Sequence, residues 1–428
     1  MKLQVIGHNL CAQVTAAALA STGHQVGLVV TDTVHHQALQ RGRSLWKEPG
    51  LDGLLLDQIQ TGRLELLDQA DSVPRVVFFA LEPNQMGLAQ ARVADLAKTP
   101  EAPCLVINQS TFPVGSCEVL QQVLNQHSSS TAAHQRAVVC LPDLLQEGAA
   151  IAAFTRSNRL LLGCDHEWAE LLVREILRPF NRRRDHVKVM SPREAEFTKL
   201  AITGMLATRL SFMNDLANLA DTLQVDIDQV RQGMGADERI GEHYLYPGCG
   251  FGGQSFSRDV ISLADTLETS GVGSELLEEV LAINERQKEV LFRKLWCHFE
   301  GRVQGKTFAI WGAAFKPGSD RIDNAPVLRL LEALWAQGAK VRIHDPKALP
   351  ALARWAGERE DLTFCQDPYE AATEAEALLL VTEWKDYWSP DFEALKNRLV
   401  QPVLLDGRNI FDPAYVRSLG FAYFGVGR

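Results

Sequence analysis

The chain has 428 residues, 46% of them apolar and 22% charged, and a formal charge of −10 from 43 basic and 53 acidic side chains. At about 150 residues per domain this gives room for two or three domains with sizeable cores, and 31 Gly with 18 Pro exclude collagen-like and low-complexity chains. The acidic balance argues against a nucleic-acid partner, which needs a basic face, and no apolar run reaches the ~18 residues of a membrane helix, so the expectation is a cytoplasmic chain.

The first half alternates short apolar runs with helical stretches. Leu3 to Gly7, Val26 to Val30, Val76 to Leu81, Cys104 to Asn108, Val138 to Leu141 and Leu160 to Gly163 read as strands. Several are apolar throughout, as expected for strands covered on both faces, and strand–helix repetition implies a doubly wound parallel sheet. Lys2, the apolar stretch after it and Ala18-Leu19-Ala20 superficially resemble a leader peptide. His8, Asn9 and Gln13 interrupt that stretch, and strand–turn–helix describes it better.

Residues 181–186 are polar, with three consecutive arginines, and read as a solvated linker rather than an anion site. Ser191-Pro192-Arg193-Glu194 has the form of a capping box with Pro at the first helical position. A long helix through Phe197, Leu200, Met205, Leu210, Phe212, Leu216 and Leu219 follows, in a mainly helical segment interrupted by a Gly-rich loop at 247–253. Alternation resumes near Lys306, with strands at Phe308 to Trp311, Val341 to His344, Ala377 to Thr382 and Val403 to Leu405. The run Phe308 to Gly312 echoes Leu3 to Gly7. The fold class is therefore α/β, with two Rossmann-like doubly wound parallel-sheet domains, at 1–188 and 299–428, joined by a helical domain at 189–298. Eight cysteines, spread from Cys11 to Cys365 without a C-x-x-C pair, fit a reducing compartment and predict neither a disulfide framework nor a metal site.

Eight segments occur in an order that resembles the UDP-glucose/GDP-mannose dehydrogenase family. They are Glu48-Pro49-Gly50-Leu51, Ser110-Thr111-Phe112-Pro113-Val114-Gly115, Pro142-Asp143-Leu144-Leu145-Gln146-Glu147-Gly148, Arg239-Ile240-Gly241, Gly250-Phe251-Gly252-Gly253, Phe315-Lys316-Pro317, Thr382-Glu383-Trp384 and Asp406-Gly407-Arg408-Asn409. Within the family the resemblance is greatest to the UDP-glucose 6-dehydrogenases. It implies a homodimer with an N-terminal NAD domain, a helical dimer core and a C-terminal domain for a UDP-sugar. It also implies oxidation of a sugar C6 alcohol to a carboxylate with two NAD per turnover. That chemistry needs a thiolate to capture the aldehyde, a Lys for the oxyanion, and groups that orient water and protons.

The resemblance places catalytic roles at Thr111, Glu147, Lys199, Thr203, Ser255 and Asp259. Taken alone, Asp259 and Glu147 read as cap or surface carboxylates. Where the family loop runs Gly-Gly-Ser-Cys-Phe-Pro-Lys-Asp, this chain has Gly252-Gly253-Gln254-Ser255-Phe256-Ser257-Arg258-Asp259. A thiol ionises at a pKa of about 8.5, whereas a Ser hydroxyl is far less acidic and needs a dedicated base. Thr203 stands for a family Asn, and i,i+4 spacing puts it on one helix face with Lys199. Asp143 stands for a family Glu.

The cofactor positions implied by the resemblance are Gly7, Asn9, Ala12, Val30, Thr111 and Glu147. The G-x-G-x-x-G fingerprint, whose second Gly admits the pyrophosphate, reads Gly7-His8-Asn9-Leu10-Cys11-Ala12. The acid expected after the second strand is Val30, with Asp32 two residues on, and Glu82 follows the third expected strand. The family's Asp-Asp-x-Arg becomes Asp320-Arg321-Ile322-Asp323. The substrate positions are better kept: Asp143, Lys199, Arg239, Tyr244, Gly252, Lys316 and Arg408, the last two suiting a diphosphate as point charge and planar fork. The losses gather on the cofactor and on covalent catalysis. They imply impaired or abolished oxidation with UDP-sugar binding retained. The alternatives are an active NAD-dependent dehydrogenase with an atypical cofactor site, and a vestigial scaffold or partner subunit of an active paralogue in polysaccharide synthesis.

Overall fold

The computed structural model describes residues 1–70, 75–98, 104–126, 136–156, 160–181 and 186–428. The arginine run at 182–184 lies outside them. The chain divides into two compact units, Met1–Ala201 and Ile202–Arg428.

The first unit carries strands β1 (Lys2–Ile6), β2 (Gln25–Val29), β3 (Leu64–Leu67), β4 (Val76–Phe79), β5 (Cys104–Asn108), β6 (Arg136–Cys140), β7 (Leu160–Gly163) and β8 (Val187–Met190). They form one sheet in the order β3-β2-β1-β4-β5-β6-β7-β8. Alternate side chains feed opposite faces. Val5, Leu28, Phe78, Leu105 and Val139 join one core cluster, and Ile6, Val29, Phe79, Val106 and Val138 join the other. This two-sided burial makes the strands apolar throughout. The helix Leu10–Ser21 is buried from Cys11 to Ala20, and its alanines let it lie close on the sheet. The all-parallel expectation is corrected at one place, because β6 pairs β7 antiparallel. The edge strands β3 and β8, absent from the sequence reading, extend the sheet at its two ends.

The second unit carries β9 (Thr307–Trp311), β10 (Lys340–His344), β11 (Leu362–Phe364), β12 (Ala377–Leu380), β13 (Val403–Asp406) and β14 (Ala422–Phe424). They are ordered β11-β10-β9-β12-β13-β14, all parallel. Each sheet therefore reverses direction of growth beside its first strand, which is where open α/β sheets bind ligands. The helices of 202–298 share one core cluster with this sheet through Met213, Ala217, Leu291 and Leu295. The long helix runs Pro192–Leu223, and the capping box forms: Ser191 N donates to Glu194 at 2.8 Å and Glu194 N to Ser191 Oγ at 3.3 Å. Among the described residues no helix is long and apolar enough to cross a membrane.

Candidate functional site

At the C-terminal edge of the first sheet, Gly7 has φ +141° and a Cβ there would stand 2.0 Å from the Ala80 carbonyl oxygen. The chain turns into the helix Leu10–Ser21 at Asn9, whose Oδ1 accepts the Ala12 backbone N–H at 2.9 Å. The same turn is tied down by Gln13 Nε2 and Trp46 Nε1, which both donate to the His8 carbonyl at 2.8 and 3.1 Å. Val30 is buried after β2. Asp32 instead caps the helix Thr33–Gln40 through His35 N at 2.8 Å. That hydrogen bond holds the Asp32 carboxyl below its ordinary range, helped by the nearby His35 and His8. The His8 and His35 rings lie 4.6 Å apart. Glu82 forms a capping box with Gln85 on the turn Pro83–Gln85.

A pyrophosphate at such a turn needs an open helix N-terminus, a small residue at the second fingerprint position and no nearby acid. Here Asn9 uses an N–H of the first turn, the ribose acid is absent from position 30, and Glu82 adds negative charge. Positions 9, 30 and 82 therefore depart from the usual dinucleotide turn.

Two loops beside this turn are held by buried carboxylates whose partners are distant in sequence. Glu48 accepts from Gly148 N at 2.6 Å and Ala150 N at 2.7 Å, fixing the loop that carries Asp143 and Glu147. Glu196 accepts from Gly115 N at 2.6 Å and Cys117 N at 2.8 Å, fixing the loop that carries Thr111. Asp143 accepts from Leu145 N at 2.8 Å. The wholly buried Cys11 thiol is pushed well above its ordinary pKa by burial first and then by Asp143, while Thr15 and Lys199 pull it down. Asp143 and Lys199 are thus brought to one thiol that the sequence reading had left inside the fingerprint without a role.

In the second unit the Gly-rich loop is pinned from several sides. Asn214 Oδ1 accepts Gly248 N at 2.8 Å, Gln287 Nε2 donates to the Gly248 carbonyl at 2.8 Å, and Asn284 brackets Phe251 by accepting its N–H at 2.8 Å and donating to its carbonyl at 3.0 Å. A Cβ on Gly252 would meet the Asn324 carbonyl at 2.6 Å, and one on Gly253 the Phe315 ring at 2.8 Å. The buried Lys288 ammonium donates to Asn324 Oδ1 at 2.5 Å and Glu285 at 2.6 Å, and Asn324 Nδ2 donates to Ser257 Oγ at 2.9 Å. Burial pulls the Lys288 pKa down and Glu285 opposes it. This chain of contacts seats the helix Gln254–Thr269, with Ser255 exposed in its first turn and Asp259 buried a turn on, 3.7 Å from the Arg258 guanidinium.

Thr203 is buried on the long helix. Arg408 donates through Nε to the Val381 carbonyl at 2.7 Å and through Nη1 to the Gly250 carbonyl at 3.2 Å, and it pairs with Glu383 at 3.2 Å. It therefore braces the loop as well as offering charge. Lys316 places its ammonium 5.3 Å from the Phe315 ring centroid. Arg239 is 88% exposed and paired locally with Asp237 at 2.6 Å. Tyr244 has φ +59° and its hydroxyl is pushed up by burial. Cys249 is buried with its sulfur 3.7 Å from the Val381 carbonyl oxygen, so it offers no exposed thiol in place of Ser255. Asp345, which the sequence reading missed, accepts Ala313 N at 2.7 Å, Ala314 N at 3.0 Å and Trp384 Nε1 at 3.0 Å, and so holds the turn leading to Lys316. Its signal is position: it stands directly after β10, the second strand of its sheet order.

Comparison with known proteins matches three consecutive patterns of one family: its NAD binding domain at residues 1–181, its central domain at 193–286 and its UDP binding domain at 309–413. The chain is 41% identical to the UDP-glucose 6-dehydrogenase of Pseudomonas aeruginosa, across 100% of this chain and 98% of that one. It is 31% identical to that of Rhizobium meliloti across 100% of both. A UDP-glucose dehydrogenase structure from Pyrobaculum islandicum superposes with a TM-score of 0.86 at 26% identity, covering 100% of this chain and 97% of that one. The fold, the order of the three matched regions and the end-to-end identity lead to one conclusion: the chain belongs to the UDP-glucose/GDP-mannose dehydrogenase family.

Proposed function

We propose that this chain is a UDP-glucose 6-dehydrogenase-like protein that binds a UDP-sugar and has lost, or nearly lost, its NAD-dependent oxidation. One observation carries the reading: the Asn9 side chain caps Ala12 N–H at 2.9 Å, inside the fingerprint that would seat the cofactor. Ser255 adds to it, because a hydroxyl lacks the thiolate needed to trap an aldehyde and release it as acid. UDP-sugar binding is supported by the braced loop 248–253, by Arg408 at its back and by the match to the family's UDP binding domain. In this reading Arg408 and Lys316 face the diphosphate, Tyr244 and Gly252 border the sugar nucleotide, Arg239 reaches toward it, and Asp143, Lys199, Thr203 and Asp259 remain of the oxidation machinery.

The reading includes three segments, 1–188, 189–298 and 299–428, a cytoplasmic location and a homodimer built on the middle segment. Support for the dimer is the exposed apolar series Met205, Phe212, Leu219 and Leu223, which recurs at helical spacing along the long helix. A partner role beside an active paralogue follows from the same loss of oxidation.

The test is thermal unfolding with UDP-glucose and with NAD separately, since a ligand that binds the native state raises the midpoint. A rise with UDP-glucose and none with NAD is expected. NADH formation from UDP-glucose at the rate of an ordinary family member overturns the reading.

A further inference from the structure

Cys117, Cys140 and Glu196 come from three separate elements: the first turn of the helix Ser116–Gln126, the end of β6 and the start of the long helix. Two sulfurs and a carboxylate oxygen lie within 4.8 Å of one another, and all three residues are buried. A tetrahedral zinc ion with ~2.3 Å bonds to sulfur holds its sulfurs ~3.8 Å apart, so the cluster needs to contract by only about 1 Å or less to take one.

The surroundings are those of a prepared ligand set. Each Glu196 oxygen accepts one backbone N–H, from Gly115 and Cys117, and keeps a second lone pair. Those bonds fix the carboxylate's orientation, as outer partners do for metal ligands. Asn108 Nδ2 lies 3.6 Å from the Cys117 sulfur and donates to it, while the neighbouring Cys140, burial and Glu196 push the Cys117 pKa up, so the sulfur carries its proton until a cation displaces it. Cys117 also stands in the first turn of an eleven-residue helix, where the macrodipole favours negative charge. Two thiolates with one carboxylate suit zinc over the hard oxygen-seeking cations. Gly115 and Ser116, which precede Cys117 in sequence, line a surface groove with Pro113, Glu118 and Arg193.

We propose that Cys117, Cys140 and Glu196 bind a zinc-class divalent cation, which staples the loop carrying Thr111 to the helix carrying Lys199. Binding replaces two S–H bonds by two metal–sulfur bonds, and the two protons leave to solvent; the carboxylate enters ionised. No electrons move. The spread of cysteines in the sequence conceals the site, because its ligands are set by the sheet rather than by local spacing.

The experiment is titration of the chelator-treated full-length chain with Co2+ and then Zn2+. The expected result is one Co2+ per chain with a thiolate-to-cobalt absorption band in the near ultraviolet, displaced by Zn2+ with release of two protons. Cys117→Ser and Cys140→Ser each abolish the band, and Glu196→Gln weakens binding at least tenfold. A measurement without variants stands beside it: Zn2+ protects Cys117 and Cys140, and none of the other six cysteines, from slow alkylation read by mass spectrometry. A wild-type chain without the band, a band that survives both cysteine substitutions, or a Cys117–Cys140 disulfide formed in place of metal binding overturns the proposal.

Discussion

Arg321 and Asp323 form an ion pair at 2.8 Å, with the charges in the reverse order to the Asp-x-Arg of the family pattern. The guanidinium, moved two residues, donates to Gln254 Oε1 at 2.6 Å, beside Ser255. A local pair has been kept while the positive charge left the position the family pattern gives it. The exchange Arg321→Asp with Asp323→Arg should therefore preserve stability, while each single change costs up to about 1 kcal/mol, the usual scale for a partly exposed pair. Urea unfolding of the three variants measures this. Full additivity of the two single losses would show that the pair has no coupling.

Asn9 divides stability from cofactor binding. Asn9→Ala removes a helix cap and should cost about 1 kcal/mol, whereas Asn9→Gly should cost only a few tenths. Only the glycine change also clears the turn for a pyrophosphate. A gain of NAD-dependent thermal shift in Asn9→Gly, absent from the wild type, is expected.

On the proposed function, Ser255→Cys alone should form no glucuronate product above background, because it supplies a thiol and leaves Asn9 capping the turn. The double variant with Asn9→Gly should form more than either single one. Mass spectrometry of the reaction mixture distinguishes these outcomes, and acid formation by Ser255→Cys alone would show the cofactor turn to be competent as it stands.

Glu48→Ala should destabilise the first unit by about 2–4 kcal/mol. It leaves two buried backbone donors, Gly148 N and Ala150 N, without their acceptor. Glu48→Gln keeps one acceptor oxygen and should cost about half as much. The urea midpoint reads both.

Three histidines give stability a common pH dependence. Burial is the largest cause lowering the pKa of His24, His35 and His344 below the ordinary histidine value. The unfolded chain then binds protons that the native chain rejects. Their contribution is present above pH ~6.5 and is lost as pH falls through the lowered native values. The melting temperature should fall between pH 7 and pH 5, and His35→Asn should flatten part of that slope.

Much of the fold is readable because the central strands are covered on both faces and so are apolar without interruption. The strands that escaped reading are short or half-exposed: Leu64–Leu67 includes Glu65, Val187–Met190 includes Lys188, and Leu362–Phe364 and Ala422–Phe424 have three residues each. The antiparallel pairing of β6 with β7 leaves no mark in composition. At the site, Asn9, Ser255 and Arg408 were legible as departures from, or agreements with, an ordered set of motifs. The work of Glu48 and Glu196 was not, since their partners lie between 79 and 102 residues away and only the folded sheet brings them near.

Gly7 is the one fingerprint glycine that remains, and it is the one the sheet cannot do without. Any side chain there collides with the Ala80 carbonyl oxygen, just past the end of the neighbouring strand. Gly312 repeats the arrangement in the other sheet, where a Cβ would stand 2.5 Å from the Thr382 nitrogen. A glycine at the end of the first strand is thus a requirement of sheet construction, owed whether or not a ligand ever arrives. Only the second glycine of such a motif speaks for the guest, and in this chain that place is taken by an asparagine serving the host.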